Sequence, residues 1–335
     1  MIQQADLSVE THWQKELKQS FTRPEALLDY LQISDVYDQS DFDARSLFAM
    51  RVPRPFANLM EKGNAYDPLL LQVLPLKQEF IAKSGFVEDP LEEQRSAVPG
   101  LLHKYKSRVL IIFRGGCAVN CRYCFRRHFP YEQNKVNKTQ LLHQLAYIKK
   151  RPELNEVILS GGDPLMAQDD HIQWFINQLE QIKHIKRLRI HTRLPVVIPS
   201  RLTPELQTTL AETRLKVIMV FHINHANEVS PELSVRCEKY KKAGLWLLNQ
   251  GVLLKGINET VTQQVALSES LFDAHIQPYY LFLFDRVAGA SHFEVEEAEA
   301  LKLYRQMMAE LPGFLLPRLA REIGGETSKT PVLPY

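Results

Sequence analysis

Only four cysteines occur in 335 residues, too few for a disulfide scaffold. No apolar run approaches the roughly 20 residues of a membrane-spanning helix; Val217–Phe221 is typical of the longest. Met1 to Asp6 have neither the basic start nor the apolar stretch of a secretory signal. Export and membrane insertion are therefore not expected, and a cytoplasmic location is. An excess of one charge is missing too: 41 Lys plus Arg face 39 Asp plus Glu, so nothing in the overall charge calls for a polyanionic partner. Low-complexity tracts and flexible linkers are absent. With 45% apolar residues the composition is that of an ordered globular chain.

What is present is a recurring alternation. β-Branched or aliphatic runs at Arg108–Phe113, Glu156–Ser160, Leu188–Thr192, Lys216–His222, Trp246–Leu254 and Gln277–Phe284 read as strands. Between them lie helical periodicities: Ile172, Phe175, Ile176, Leu179 and Ile182 on one face, and Leu141, Leu142, Leu145 and Ile148 on another. Six consecutive βα units imply a parallel sheet in a closed or partly closed α/β barrel, with an open doubly wound sheet as the alternative. The first hundred residues carry seven of the 19 prolines and little strand pattern. They read as a helical layer packed on the barrel, with Thr22 capping a helix whose early positions hold Pro24 and Glu25. The division expected is 1–100 for this layer, 101–320 for the barrel and 321–335 for a C-terminal segment.

Three of the cysteines, Cys117, Cys121 and Cys124, fall within eight residues directly after the first predicted strand. Barrels of this kind place their chemistry at that mouth. Three thiolates spaced C-x3-C-x2-C can hold three irons of a [4Fe-4S] cluster and leave the fourth open to an outside ligand. A structural zinc would want four ligands, usually as two C-x2-C pairs. The only other thiol, Cys237, sits alone in a predicted helix and reads as a semi-buried structural cysteine. The second strand ends in Ser160-Gly161-Gly162-Asp163, where two glycines allow close backbone approach and a carboxylate can accept from an ammonium.

The cysteine spacing, Tyr123 before the last cysteine and the βα repeat resemble the radical S-adenosylmethionine (radical SAM) enzymes. There the open iron chelates the methionine end of S-adenosylmethionine, and an electron from the cluster yields a 5′-deoxyadenosyl radical. The resemblance places Tyr123 near the adenine, unless it packs beneath the loop, and Ser160 to Asp163 near the methionine amino group. Taken with His222–Glu228 and the tail Arg321–Pro331, the chain is similar to the lysine 2,3-aminomutase family, which also uses pyridoxal phosphate (PLP). Pro68–Pro75, Cys124–Tyr131 and Glu322–Glu326 resemble the bacterial branch that makes (R)-β-lysine for modification of translation elongation factor P.

By that resemblance Lys329 holds PLP through its amine, Arg126 receives the substrate carboxylate, and Asp285 and Glu322 receive the distant ε-ammonium. Tyr105 and Arg108 fall where the family has PLP contacts. The resemblance also implies L-lysine as substrate, an electron donor such as flavodoxin, and an indirect or transient link to elongation factor P and its lysyl ligase. Glu322 is one methylene longer than the family's aspartate, so the ε-amino pocket is expected to differ in depth, and only six residues follow Lys329, so the oligomeric state of the larger enzymes is not carried over. A glutamate aminomutase is one alternative, although its side-chain carboxylate would call for basic groups in place of Asp285 and Glu322. An iron-sulfur RNA-binding protein is the other: Arg122–His128 and Lys183–Arg189 are locally basic, but no RNA-binding appendage is recognisable and no nucleic-acid partner is expected.

Overall fold

The computed structural model describes residues 11–94, 98–131, 134 and 137–334. Met1–Asp6, read above for a signal, and Tyr335 lie outside them. Among the described residues nine strands form one sheet in chain order: β1 Leu101–Tyr105, β2 Arg108–Arg114, β3 Glu156–Gly161, β4 Arg187–Thr192, β5 Lys216–Phe221, β6 Trp246–Val252, β7 Gln277–Phe282, β8 Arg318–Arg321 and β9 Thr330–Pro331. From β2 to β8 each strand is parallel to the next. β1 runs antiparallel to β2 and β9 antiparallel to β8. The two ends do not pair, so the sheet is a partial, open barrel.

The six strands read from the sequence are β2 to β7, shifted at some ends by one or two residues. The reading missed β8, which adds a seventh parallel strand, and both edge strands. Arg318-Leu319-Ala320-Arg321 is too short and too polar to stand out as a run, and β9 contains Pro331, tolerated only because it is an edge. The tail that carries Lys329 therefore runs into the sheet and is held by it.

Helices cover the outer face. In Asp169–Glu180 the residues Ile172, Phe175, Ile176 and Leu179 are buried, as their period requires, and the Phe175 ring meets Phe113 of β2 edge-on at 5.2 Å. In Lys138–Lys149 the buried face is Leu141, Gln144, Leu145 and Ile148, whereas Leu142 points to solvent. Leu142 lies about 100° around the helix from Leu141, which takes it off the covered stripe. Cys237, on the helix Pro231–Lys242, is wholly rather than partly buried, and burial pushes its thiol up to about 12.

The N-terminal residues form short helices, among them His12–Lys18 and Pro24–Tyr30. Pro24 occupies the first helical position, but the residue before it, Arg23, is the cap, so Thr22 does not cap this helix. Glu25 pairs with Arg23 and Arg45 instead. One hydrophobic core joins this layer to the barrel, running from Trp13, Leu27, Phe56 and Leu69 to Ile111, Leu159, Ile190 and Phe221. The Arg201 guanidinium covers the Trp13 ring at 4.9 Å. Among the described residues no helix is long and apolar enough to cross a membrane.

Candidate active site

The loop carrying the cysteines leaves β2 at Arg114 and packs backbone to backbone on the loop that leaves β3. Gly162 N–H donates to Arg114 O at 2.7 Å and Asp163 N–H to Gly116 O at 2.9 Å. A Cβ on Gly162 would lie 2.5 Å from Gly116 O, and one on Gly161, whose φ is +112°, would lie 2.7 Å from Arg114 O. The glycine pair is thus explained by the approach of the two loops, a nearer cause than the ligand approach expected from sequence. Asp163 also has a different task from the one expected. Its carboxylate accepts from the Thr192 hydroxyl and from the backbone N–H groups of Leu165, Arg193 and Leu194, at 2.7 to 3.0 Å. These donors occupy both oxygens, so Asp163 clamps the ends of β3 and β4 together and has little capacity left for a ligand ammonium.

Tyr123 lies beneath the loop, buried, with its ring stacked on His222 at 5.6 Å and edge-on to Phe293. Its hydroxyl accepts from Asn224 Nδ2 at 2.7 Å and from Arg193, and His222 Nε2 lies 2.9 Å away. Burial and the Arg193 charge push His222 down to about 3, so it is neutral. Burial, then the neighbouring thiol of Cys121, pushes Cys124 up to about 11, and burial, then Cys124 and the Asp163 carboxylate, raises Cys117. A metal ion binding these sulfurs would have to displace their protons.

On the other side of the same mouth, Arg126 is fixed on two edges: Nε donates to Glu93 Oε2 at 2.6 Å and Nη1 to the Ser160 hydroxyl at 3.1 Å. Glu93 in turn holds Lys104 at 3.0 Å. The Lys329 ammonium donates to Glu322 Oε2 at 2.6 Å and lies over the Phe282 ring at 4.3 Å. Glu322 Oε1 accepts from the Tyr105 hydroxyl at 3.2 Å and lies 3.5 Å from Lys104 Nζ. Burial alone would raise Glu322, but the Lys329 charge and hydrogen bond outweigh it and hold the carboxyl at about 2. Among the described residues Asp285 has no hydrogen-bonded cation of this kind. Burial, reinforced by the Glu322 charge, pushes it up to about 7. The Arg108 guanidinium stacks 4.0 Å over the Tyr105 ring.

All of these predicted residues, Tyr105, Arg108, Cys117, Cys121, Tyr123, Cys124, Arg126, Ser160 to Asp163, Asp285, Glu322 and Lys329, line one cavity of about 620 Å³. The cysteine loop forms one wall and the Lys329 tail another. On residues that line the cavity, His191 Nε2 and Arg189 Nε are buried with no hydrogen-bond partner among the described residues. Among the described residues no three His, Cys, Asp or Glu side chains gather closely enough for a single metal ion. Three thiols on one loop, all lining one cavity, could instead hold a cluster with one open iron. Sequence reasoning missed Glu93, Lys104, His191 and Arg193. Arg193 directly follows a barrel strand, a position at which barrel folds place functional side chains and from which it could have been found. Glu93 belongs to an N-terminal loop and carries no such signal.

Comparison with known proteins adds the following. The radical SAM superfamily signature matches residues 111–261. The chain is 51% identical to the L-lysine 2,3-aminomutase of Escherichia coli strain K12 over 322 residues, which cover 96% of this chain and 94% of that one. It is 50% identical to that of Haemophilus influenzae over 96% and 95% of the two chains, and 32% identical to that of Acetoanaerobium sticklandii over 96% and 78%.

Proposed function

Since this chain belongs to the lysine 2,3-aminomutase family of radical SAM enzymes, we propose that it moves the amino group of L-lysine from C2 to C3, giving (R)-β-lysine. The observation that carries this is the single cavity in which the thiol loop, an anchored arginine, an amine and two acidic groups face one another. Cys117, Cys121 and Cys124 would hold the [4Fe-4S] cluster, and Lys329 would hold PLP. When bound, the cluster with S-adenosylmethionine supplies a carbon radical able to take an unactivated C–H hydrogen, and PLP spreads the unpaired electron that follows.

The chain's own residues bind, orient and shield. Arg126 is held by Glu93 and Ser160, so its remaining N–H edge is pre-aimed at a carboxylate. Glu322 and Asp285 form the acidic end. Glu322 is ionised and engaged with Lys329, so it becomes free for a substrate ammonium once Lys329 is tied to its cofactor. Asp285 ionises fully when that ammonium arrives. This pair favours a cationic side chain and disfavours glutamate. Apolar walls from Leu110, Ile158, Ile218, Leu248 and Phe282 keep water from the reacting centre, as a reactive radical requires.

The family resemblance supports a further placing of the product, in the β-lysyl modification of elongation factor P, with a flavodoxin-type electron donor and a cytoplasmic setting. The test is an anaerobic assay of iron-reconstituted protein with S-adenosylmethionine, PLP and L-lysine, resolving α- from β-lysine by chiral chromatography. (R)-β-Lysine is the expected product. 5′-Deoxyadenosine without β-lysine would refute the substrate, and neither product from protein with an intact cluster would refute the aminomutase reading.

A further inference from the structure

Two segments that the proposed reaction leaves without a task, Pro68–Pro75 and His222–Glu228, converge on one guanidinium. Arg193 follows β4 and is buried. Its Nη1 donates to Cys121 Sγ at 2.7 Å and to the Tyr123 hydroxyl, and its Nη2 donates to Gln72 Oε1 at 2.8 Å and Glu228 Oε2 at 2.9 Å. The Phe56 and Tyr123 rings flank the guanidinium, each 5.6 Å away. Glu228 is itself buried and fixed: its Oε1 accepts from Gln72 Nε2 at 3.1 Å and from the backbone N–H groups of Asn224 and His225 at 3.0 and 3.1 Å. The cation therefore cannot swing away, and water does not screen it.

We infer that Arg193 tunes the reduction potential of the iron-sulfur cluster through Cys121, and that Glu228 sets how much of the Arg193 charge the cluster feels. The inference rests on the reading of Cys117, Cys121 and Cys124 as the iron ligands. Reduction adds one electron, from a donor such as dithionite or a low-potential flavoprotein, to the [4Fe-4S]2+ cluster and gives [4Fe-4S]+ without forming or breaking a bond. The reduced cluster carries one more negative charge, so a donor to its sulfur and a fixed cation stabilise it more than the oxidised form and raise the potential. The Glu228 carboxylate works in the opposite direction, because it offsets the cation in a low-dielectric interior.

The experiment is a potentiometric titration followed by electron paramagnetic resonance on iron-reconstituted protein, without lysine or S-adenosylmethionine. Arg193→Gln should move the midpoint to more negative potential, on the order of a tenfold loss of reduced cluster at fixed poise, which is about 59 mV for one electron. Glu228→Gln, close in shape, should move it the opposite way. Arg193→Lys, which keeps the charge and loses the fork, should fall between Arg193→Gln and the parent. Wild-type midpoints in both Gln variants at full iron content, or shifts of the same sign, would overturn the inference. If Arg193→Gln holds no iron, Glu228→Gln decides alone, and anything but a positive shift overturns it. A parent protein that assembles no cluster would remove the proposed function and this inference together, a result distinct from an unmoved potential.

Discussion

Asp285 is a strained carboxyl in the ligand-free protein. Asp285 sits at about 7 rather than the ordinary 3.8, chiefly through burial and the Glu322 charge. Between those two values the unfolded chain has shed a proton that the folded chain retains, so stability falls as pH rises from about 4 to 7 and levels off above. Asp285→Asn is therefore expected to melt higher than the parent at pH 8, with the gain vanishing near pH 4, in thermal scans of cofactor-free protein. The same substitution removes a charge partner for the substrate and should raise KM for lysine by roughly tenfold or more. A variant no more stable at pH 8 than the parent would contradict the strained carboxyl. Lys329→Ala makes a separate case. It should leave the cluster's absorption in place and abolish borohydride-stable attachment of PLP; retention of covalent PLP would refute the assignment of Lys329.

At the scale of elements, the decisive contact is between two loops. Gly162→Ala places a methyl group 2.5 Å from Gly116 O, a backbone atom that no rotamer change can move aside. The loops must part, at a cost of about 1–3 kcal/mol or more, and iron content after reconstitution should drop with them. Gly116→Ala is the control, since nothing lies within 4 Å of a Cβ there; it should keep both iron and melting temperature. Strands β2 to β7 were legible in the sequence because runs such as Val217–Phe221 are apolar and β-branched enough to declare themselves, and the cysteines because they are neighbours in the chain. The Thr22 cap was misplaced by one residue, since Arg23 is the cap, and the strand Arg318–Arg321 was missed because it is short, polar and paired with a strand distant in sequence. Glu93 is the same case within the cavity, since only folding brings it to Arg126, some thirty residues on.

Across the whole molecule, the buried carboxylate of Glu79 ties the N-terminal layer to two arginines of the cysteine loop. Glu79 receives Arg122 through Nε at 2.8 Å and Nη2 at 2.6 Å, and Arg127 through Nη2 at 2.5 Å, with all three side chains essentially inaccessible to water. Arg122 follows Cys121 directly and Arg127 lies three residues after Cys124, and Arg122 Nη1 also donates to Phe48 O at 2.6 Å. The layer contributes more than cover, because it fixes the two arginines from which the cluster loop hangs. Glu79→Ala leaves two buried guanidinium groups without a counter-charge and should cost about 3–5 kcal/mol, the range for breaking a buried pair from one side. In a chain of this size that is a fall of roughly five degrees in melting temperature. Iron retention should fall further than in Lys83→Ala, whose ion pair with Glu294 is half exposed and contributes about 1 kcal/mol at most. Equal losses in the two variants would mean that the N-terminal layer stabilises the fold without supporting the cluster loop.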